Sequence, residues 1–168
     1  MKILADQFRH NAWANRQVLG RFTGAEPVLD SVCYDGDTLR TRAAHLVGVE
    51  AGFLQVIVGD PSVPAHSSDL NAMLARCDQT SIGLIREAEA VDADGLDRQV
   101  YVPWWRYEFA LSVLFAQVLA HSAQHRAELA WELARAGVST GELDYIGWEA
   151  GGRPEPGHAL VFPPGSSG

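Results

Sequence analysis

Cysteine is scarce in this chain, and its scarcity excludes several kinds of site. Cys33 and Cys77 are the only two cysteines among 168 residues, and no Cys-x-x-Cys motif occurs. A zinc ribbon or a disulfide-stapled fold needs more cysteines at closer spacing. We therefore expect two reduced thiols, as in a cytoplasmic protein.

An excess of basic residues is also lacking. The 13 lysines and arginines are outnumbered by 21 aspartates and glutamates, and the formal net charge is -8. Such a charge gives no long-range attraction to nucleic acid or to an anionic lipid surface. We expect no nucleic-acid partner.

Long apolar runs are absent as well. The acidic residue Asp6 interrupts the N-terminal residues before they can form the apolar stretch of a signal peptide. No later stretch approaches the roughly 18 apolar residues that a membrane helix needs. The sequence therefore predicts a cytoplasmic protein with no membrane partner.

Apolar residues recur at helical spacing in four long segments, within a composition that suits one globular domain. Asp37 is the expected N-cap of the second segment, and Gly137 the expected C-cap of the fourth. Four amphipathic helices predict an all-α four-helix bundle. The predicted helices cover residues 2–23, 38–58, 70–91 and 110–136.

Shorter features lie between and after these helices. Residues 98–109 are aromatic and β-branched, which predicts a short hairpin or irregular loop before the fourth helix. A short C-terminal helix is expected over residues 143–150, followed by a tail rich in Gly, Pro and Ser. We thus expect a bundle domain over residues 1–150 and an irregular tail over residues 151–168.

His121 and His125 stand four positions apart in the fourth predicted helix. They lie about 40° apart around the helix axis and about 6 Å apart along it, so both can reach one ion. A helical wheel places them at the flank of the inward arc, next to Val118. The motif also occurs on exposed helix faces, where it binds nothing.

His45 offers a third ligand from the second predicted helix. It lies at the edge of the buried face, beside Val49, where the ordinary alternative is a core histidine bonded to a neighbouring acceptor. Three neutral imidazoles suit one divalent ion, namely Zn, Ni, Fe or Mn, and leave coordination positions open. Such a site can activate a thiol or a water molecule, and the residues do not choose between them.

Two other kinds of metal enzyme lack their motifs here. The zincin motif needs Glu directly after the first histidine, where this chain has Ser122. Di-iron bundles need Glu-x-x-His on two helices, and no histidine of the predicted helices has Glu three residues before it. We expect neither a metalloprotease nor a ferritin-like oxidase.

Polar residues near the predicted core are further candidates. Asn15 lies in the apolar stripe of the first helix, which favours a helix-to-helix hydrogen bond over a role in orienting a metal ligand. Glu50 and Glu132 lie near the histidines and are candidates for an acceptor behind a ligand or a general base, although exposed carboxylates are commoner.

Four aromatic residues and three further histidines also have an expected location. Trp104, Trp105 and Tyr107 either line the mouth of the site or pack in the core. Trp13 points away from the apolar stripe, which suggests a dimer contact or docking of the tail. The histidines expected to face solvent are His10, His66 and His158.

Three segments of the chain resemble the DinB/YfiT-like metalloenzymes: residues 11–15 (NAWAN), 44–50 (AHLVGVE) and 121–129 (HSAQHRAEL). The resemblance, which extends over about residues 1–150, implies a left-handed bundle that is often dimeric. We expect its four helices to run in up-down-down-up order. It also implies that His45, His121 and His125 hold a divalent metal. Residues 126–128 depart from the family, because they read Arg-Ala-Glu where many members carry Arg-Gly-Gln.

The resemblance further implies kinship with bacterial thiol S-transferases, which join low-molecular-weight thiols such as bacillithiol to electrophiles. The preferred hypothesis is therefore a homodimeric metal-dependent transferase that takes a small-molecule thiol and an electrophile. A metal-dependent hydrolase is the first alternative. The second is a non-catalytic stress-response module whose histidines are vestigial or sense metal.

Overall fold

The computed structural model describes residues 2–33, 36–60 and 67–161 and is mostly helical. Its four long helices are α1 (Lys2–Gly20), α3 (Leu39–Val58), α4 (Leu70–Ala90) and α5 (Leu111–Arg135). Two short helices are α2 (Glu26–Leu29) and α6 (Tyr145–Ala150), and a 3-10 turn covers Asp94–Asp97. Within these residues, no helix has both the length and the apolar character needed to cross a membrane.

The helix ends follow from local capping. Asp69 accepts a hydrogen bond from the amide of Ala72 at 2.8 Å and begins α4, as predicted. The prediction that Asp37 caps the second long helix is wrong. Thr38 is still extended and bridged to Val32, so the helix starts one residue later and the Thr38 hydroxyl accepts from the Thr41 amide.

The predicted hairpin before the last long helix is confirmed. Strand β1 (Gln99–Val102) pairs antiparallel with β2 (Tyr107–Ala110), and Val100 lies opposite Phe109. Arg106 closes the turn with a positive φ of 52°. Because β2 leads directly into α5, the hairpin fixes where that helix begins.

The long helices pack in four pairs. Helix α1 contacts α4 and α5, and α3 contacts the same two helices. This packing brings α3 and α5, which carry the three candidate ligands, side by side. The left-handed sense of the bundle stays a prediction, as does the homodimer.

Two large apolar clusters form the core of the bundle, and polar residues separate them along every long helix. A third, small cluster consists of Trp13, Ala14 and Trp148. The Leu46 cluster includes Leu19, Leu46, Met73 and Leu129. The Phe53 cluster includes Phe8, Phe53, Leu84 and Phe115. The residues of the buried polar layer contributed by α1, α3 and α5 are Asn11, Asn15, Glu50, Ser122 and Arg126.

Candidate metal centre

Helices α3 and α5 bring the three predicted histidines together. Nε2 of His45 lies 3.2 Å from Nε2 of His121. The ring centroid of His125 lies 4.3 Å from that of His121 and 4.8 Å from that of His45. One ring nitrogen from each residue falls within 4.8 Å of the others. The residues predicted from two distant stretches of chain therefore form one cluster.

The spacing and chemistry of these nitrogens fit a divalent cation. Two nitrogens bound to one tetrahedral ion at about 2.1 Å are about 3.4 Å apart. The 3.2 Å between His45 and His121 is close to this value. The cluster can therefore hold one ion, and imidazole nitrogen suits zinc, nickel, iron and manganese.

The protonation state of His121 also favours metal binding. Its burial, followed by the proximity of His125 and His45, lowers the pKa of His121 to about 4. At neutral pH this imidazole is uncharged and keeps a lone pair for a cation. Its Nδ1 is buried and has no hydrogen-bond partner within the described part of the chain.

A carboxylate stands behind one of the histidines. Nδ1 of His125 donates to Oε2 of Glu128 at 2.8 Å. Arg42 of α3 donates to the same oxygen from Nη1 at 2.7 Å. Burial opposes ionisation of Glu128, but hydrogen bonds from Gln124 and His125, together with Coulombic attraction to His125 and Arg42, hold the pKa of the carboxyl below its ordinary value.

A cavity of about 360 Å³ adjoins the histidines. His45 is exposed, whereas His121 and His125 are half-buried, so the cluster is reachable from solvent. The described residues that line the cavity are all of polar or charged type, namely Asp37, Thr41, Arg42, His45, Gln124, His125 and Glu128.

The aromatic hairpin contacts another part of the molecule. Trp104 and Trp105 pack against Phe53, with ring centroids 5.6 and 5.9 Å away, and each remains 51% exposed. Among the described residues that line the cavity, none belongs to the hairpin. Of the two predicted roles, packing against the core is the one observed.

Glu50 belongs to the buried polar layer, not to the histidine cluster. It is 1% exposed, and its Oε1 accepts from Asn11 at 2.7 Å and from Asn15 at 2.8 Å. Ser122 donates to the same oxygen. Burial raises the pKa of Glu50 despite these hydrogen bonds. Glu50 is therefore not the exposed carboxylate that is commoner at such positions, and the bonds it makes are to the polar layer and not to the candidate metal ligands.

Asn15 and Glu132 have structural partners. Asn15 makes the helix-to-helix hydrogen bonds that its position predicts, because it also accepts from Arg126 at 2.7 Å. Glu132 pairs with Arg135 one turn further along α5, at 3.3 Å. Neither contact involves a histidine of the cluster.

The predicted locations of Trp13 and of the three remaining histidines are confirmed only in part. Trp13 docks the C-terminal segment, as its Nε1 donates to the carbonyl of His158 at 2.9 Å, and the His158 side chain is exposed as expected. His66 lies outside the described residues. The prediction that His10 faces solvent is wrong, because the C-terminal segment partly covers it and its Nε2 donates to the Leu143 carbonyl at 2.9 Å.

The sequence reasoning missed Arg42 and did not assign a role to Glu128. Glu128 was visible as a departure from the family pattern and lies one helical turn after His125, which is the signal that would have found it. Arg42 gave no such signal, because its contact crosses between helices.

No protein-family model matches the chain, and no curated protein matches it significantly. Membership of the DinB/YfiT-like family therefore stays a prediction that rests on three sequence segments.

Proposed function

We propose that this chain is an enzyme that uses one divalent cation, held by His45, His121 and His125, to activate a small thiol for transfer to a small electrophile. The observation that carries the proposal is the convergence of three imidazole nitrogens within 4.8 Å. Without a cation, such a cluster is unfavourable as soon as one ring is protonated, because the charge lies beside two other basic rings. When the three imidazoles bind one cation, their close approach stabilises the cluster.

The cavity beside the cluster supports a catalytic role. Three histidines fill three coordination positions, so a cation with four or more ligands keeps at least one for a substrate. A cation in this site supplies Lewis acidity that favours a thiolate over a thiol at neutral pH. The exposed side of His45 and the adjoining 360 Å³ cavity give a small molecule access to that position.

The transfer is a substitution at the electrophile. The thiol loses its proton to solvent, the sulfur electron pair forms the new bond to carbon, and the leaving group departs with its bonding electrons. The sulfur comes from a small molecule, since Cys33 and Cys77 are both buried. The choice of a thiol over water is supported by the three sequence segments that resemble the thiol S-transferases.

We also propose that the long helices run in up-down-down-up order. In α1 and α5, residues of the Phe53 cluster precede residues of the Leu46 cluster. In α3 and α4 the order is reversed. This alternation supports parallel α1 and α5, with α3 and α4 running the opposite way.

Metal analysis of the protein without a polyhistidine tag tests the site. The wild type is expected to retain about one ion per chain, and His121→Ala to lose it. The matched control is His158→Ala, which removes an exposed imidazole of the tail. Stoichiometric metal in His121→Ala would contradict the proposed ligand set.

An activity assay tests the reaction. A panel of small bacterial thiols with a chromogenic electrophile is expected to give turnover that is lost on chelation and restored by metal. Turnover that is metal-dependent but thiol-independent would indicate hydrolysis instead. Metal binding with no turnover on thiols or esters would favour the non-catalytic module.

A further inference from the structure

We infer that Glu128, anchored by Arg42, is a positioning residue that presets His125 for metal binding. The inference rests on the proposed metal site and goes beyond its three ligands. It gives Glu128 and Arg42 a role in positioning His125. That role does not follow from the spacing or the burial of the histidines.

The hydrogen bond between His125 and Glu128 fixes the proton of the imidazole. Glu128 is a carboxylate, which has no proton to give, so Nδ1 of His125 must carry the hydrogen across the 2.8 Å contact. Nε2 is then left with a free lone pair, as a metal ligand requires. The metal-free protein thus already holds His125 in the tautomer that binds.

Arg42 holds Glu128 in the position where it can do this. Its guanidinium side chain is only 7% exposed and contacts Oε2 of Glu128 at 2.7 Å. The bond crosses from α3 to α5, so it fixes the carboxylate relative to both helices that supply ligands. The charge-assisted bond from Arg42 also restrains the orientation of the carboxylate that meets His125.

The same oxygen of Glu128 accepts from both Arg42 and His125, so the three side chains form one connected hydrogen-bond chain. We call Arg42, Glu128 and His125 the relay. An amide at this position can accept from His125 through its single oxygen, but its NH2 group repels the guanidinium if it turns toward Arg42. A carboxylate is therefore the better match to this pair. Outer partners of ligating histidines typically change metal affinity by about 10–100-fold when they are removed.

Glu132 provides the matched control, because it lies one turn further along the same helix. Its carboxylate pairs with Arg135 within the helix at 3.3 Å and contacts no histidine of the cluster. Glu132→Ala therefore removes a similar charge from α5 without touching the relay.

The decisive measurement is 15N NMR of the His125 ring in the metal-free protein, combined with zinc affinity by competition against a chromophoric chelator. Wild type and Glu132→Ala are expected to show the proton on Nδ1 and the same affinity. Glu128→Ala is expected to mix the two tautomers and weaken zinc binding by about 10–100-fold. Glu128→Gln is expected to keep the tautomer and lose less affinity, which gives a conservative variant should the alanine variant fail to fold.

Arg42→Met tests the second member of the relay. Alone, it is expected to weaken zinc binding, and combined with Glu128→Ala it is expected to add little further loss, because both changes break one chain of contacts. Additive losses would contradict the anchoring by Arg42.

An unchanged single tautomer or an unchanged zinc affinity in folded Glu128→Ala would overturn the inference. So would a Glu128→Gln variant that shows mixed tautomers, since its oxygen still accepts. Failure of the proposed function gives a different result: the wild type then binds no stoichiometric zinc, while the NMR measurement still reports what Glu128 does to His125.

Discussion

Arg126, the residue after His125, donates from Nη1 to Oδ1 of Asn15 across 2.7 Å. This bond ties the ligand-bearing segment of α5 to α1, in the middle of the core. Asn15 in turn donates to the buried carboxyl group of Glu50 at 2.8 Å. The amide of Asn15 therefore bridges the guanidinium of Arg126 and the carboxyl group of Glu50. Removal of Asn15 leaves Arg126 and Glu50 with one hydrogen bond fewer each, while Asn11 still contacts both.

The first prediction concerns this amide. Asn15→Ala is expected to lower the free energy of unfolding by about 1–3 kcal/mol, because Arg126 and Glu50 each lose a hydrogen bond that water cannot replace. Urea unfolding of the metal-free protein measures the change. Gln7→Ala, at an exposed position of the same helix, is the control and is expected to change stability by less than about 0.5 kcal/mol. Equal effects of the two variants would show that the polar layer adds no stability.

The second prediction is a pH dependence that originates at Glu50. Burial raises the pKa of its carboxyl in the folded protein, where it faces Arg126 of α5 and the Cys77 thiol of α4. As the pH rises, the unfolded chain loses this proton first, so the stability that Glu50 contributes is present below its ordinary pKa and lost above it.

Glu50→Gln removes this titration while keeping an oxygen that accepts from Asn11, Asn15 and Ser122. Its stability relative to wild type is therefore expected to increase from about pH 4 to about pH 8, as measured by urea unfolding of the metal-free protein. Glu108→Gln, on the exposed side of the hairpin, is the control for loss of one carboxylate. A Glu50→Gln difference that stays flat or falls with pH would contradict the direction given for this pKa.

The third prediction concerns docking of the C-terminal segment. Trp13→Phe keeps a ring in the buried pocket but loses the 2.9 Å bond from Nε1 to the His158 carbonyl. We expect a loss of about 0.5–1.5 kcal/mol in stability and faster amide hydrogen exchange over residues 157–161. Trp131→Phe makes the same substitution at a side chain that is 67% exposed, and neither quantity should change. If both variants exchange these amide hydrogens at the wild-type rate, the bond does not hold the segment.

The fourth prediction concerns the thiols. Cys33 and Cys77 are buried, and burial raises the pKa of Cys77, so neither presents a thiolate to solvent. Native protein is expected to resist a maleimide over a time in which unfolded protein takes up two labels, as counted by mass spectrometry. Rapid labelling of the native chain would mean that a protein cysteine competes with the small thiol in the proposed reaction.

The helices and the ligand histidines could be predicted because their signals are local. Hydrophobic spacing gave the four long helices to within a few residues, and the four-residue interval placed His121 and His125 on one side of α5. His45 could be predicted as the third ligand because it lies at the edge of the apolar face of α3. Each of these inferences needs only the geometry of a single helix.

The failures involve contacts between distant segments. The periodicity of α1 predicts that His10 faces solvent, and it cannot reveal that Leu143 and the residues after it cover that face. The short distance to His45 along the chain makes Glu50 a candidate for the metal site, whereas its partners come from α1 and α5. The role of Glu128 depends on where Arg42 of another helix lies, which no helical wheel contains.

The most direct test of the metal centre is anomalous diffraction at the zinc edge from crystals of untagged protein supplied with zinc. We expect one peak per chain, about 2.0–2.1 Å from one nitrogen of each of His45, His121 and His125. A peak bound by other residues, or no peak at the three imidazoles, would contradict the proposed site.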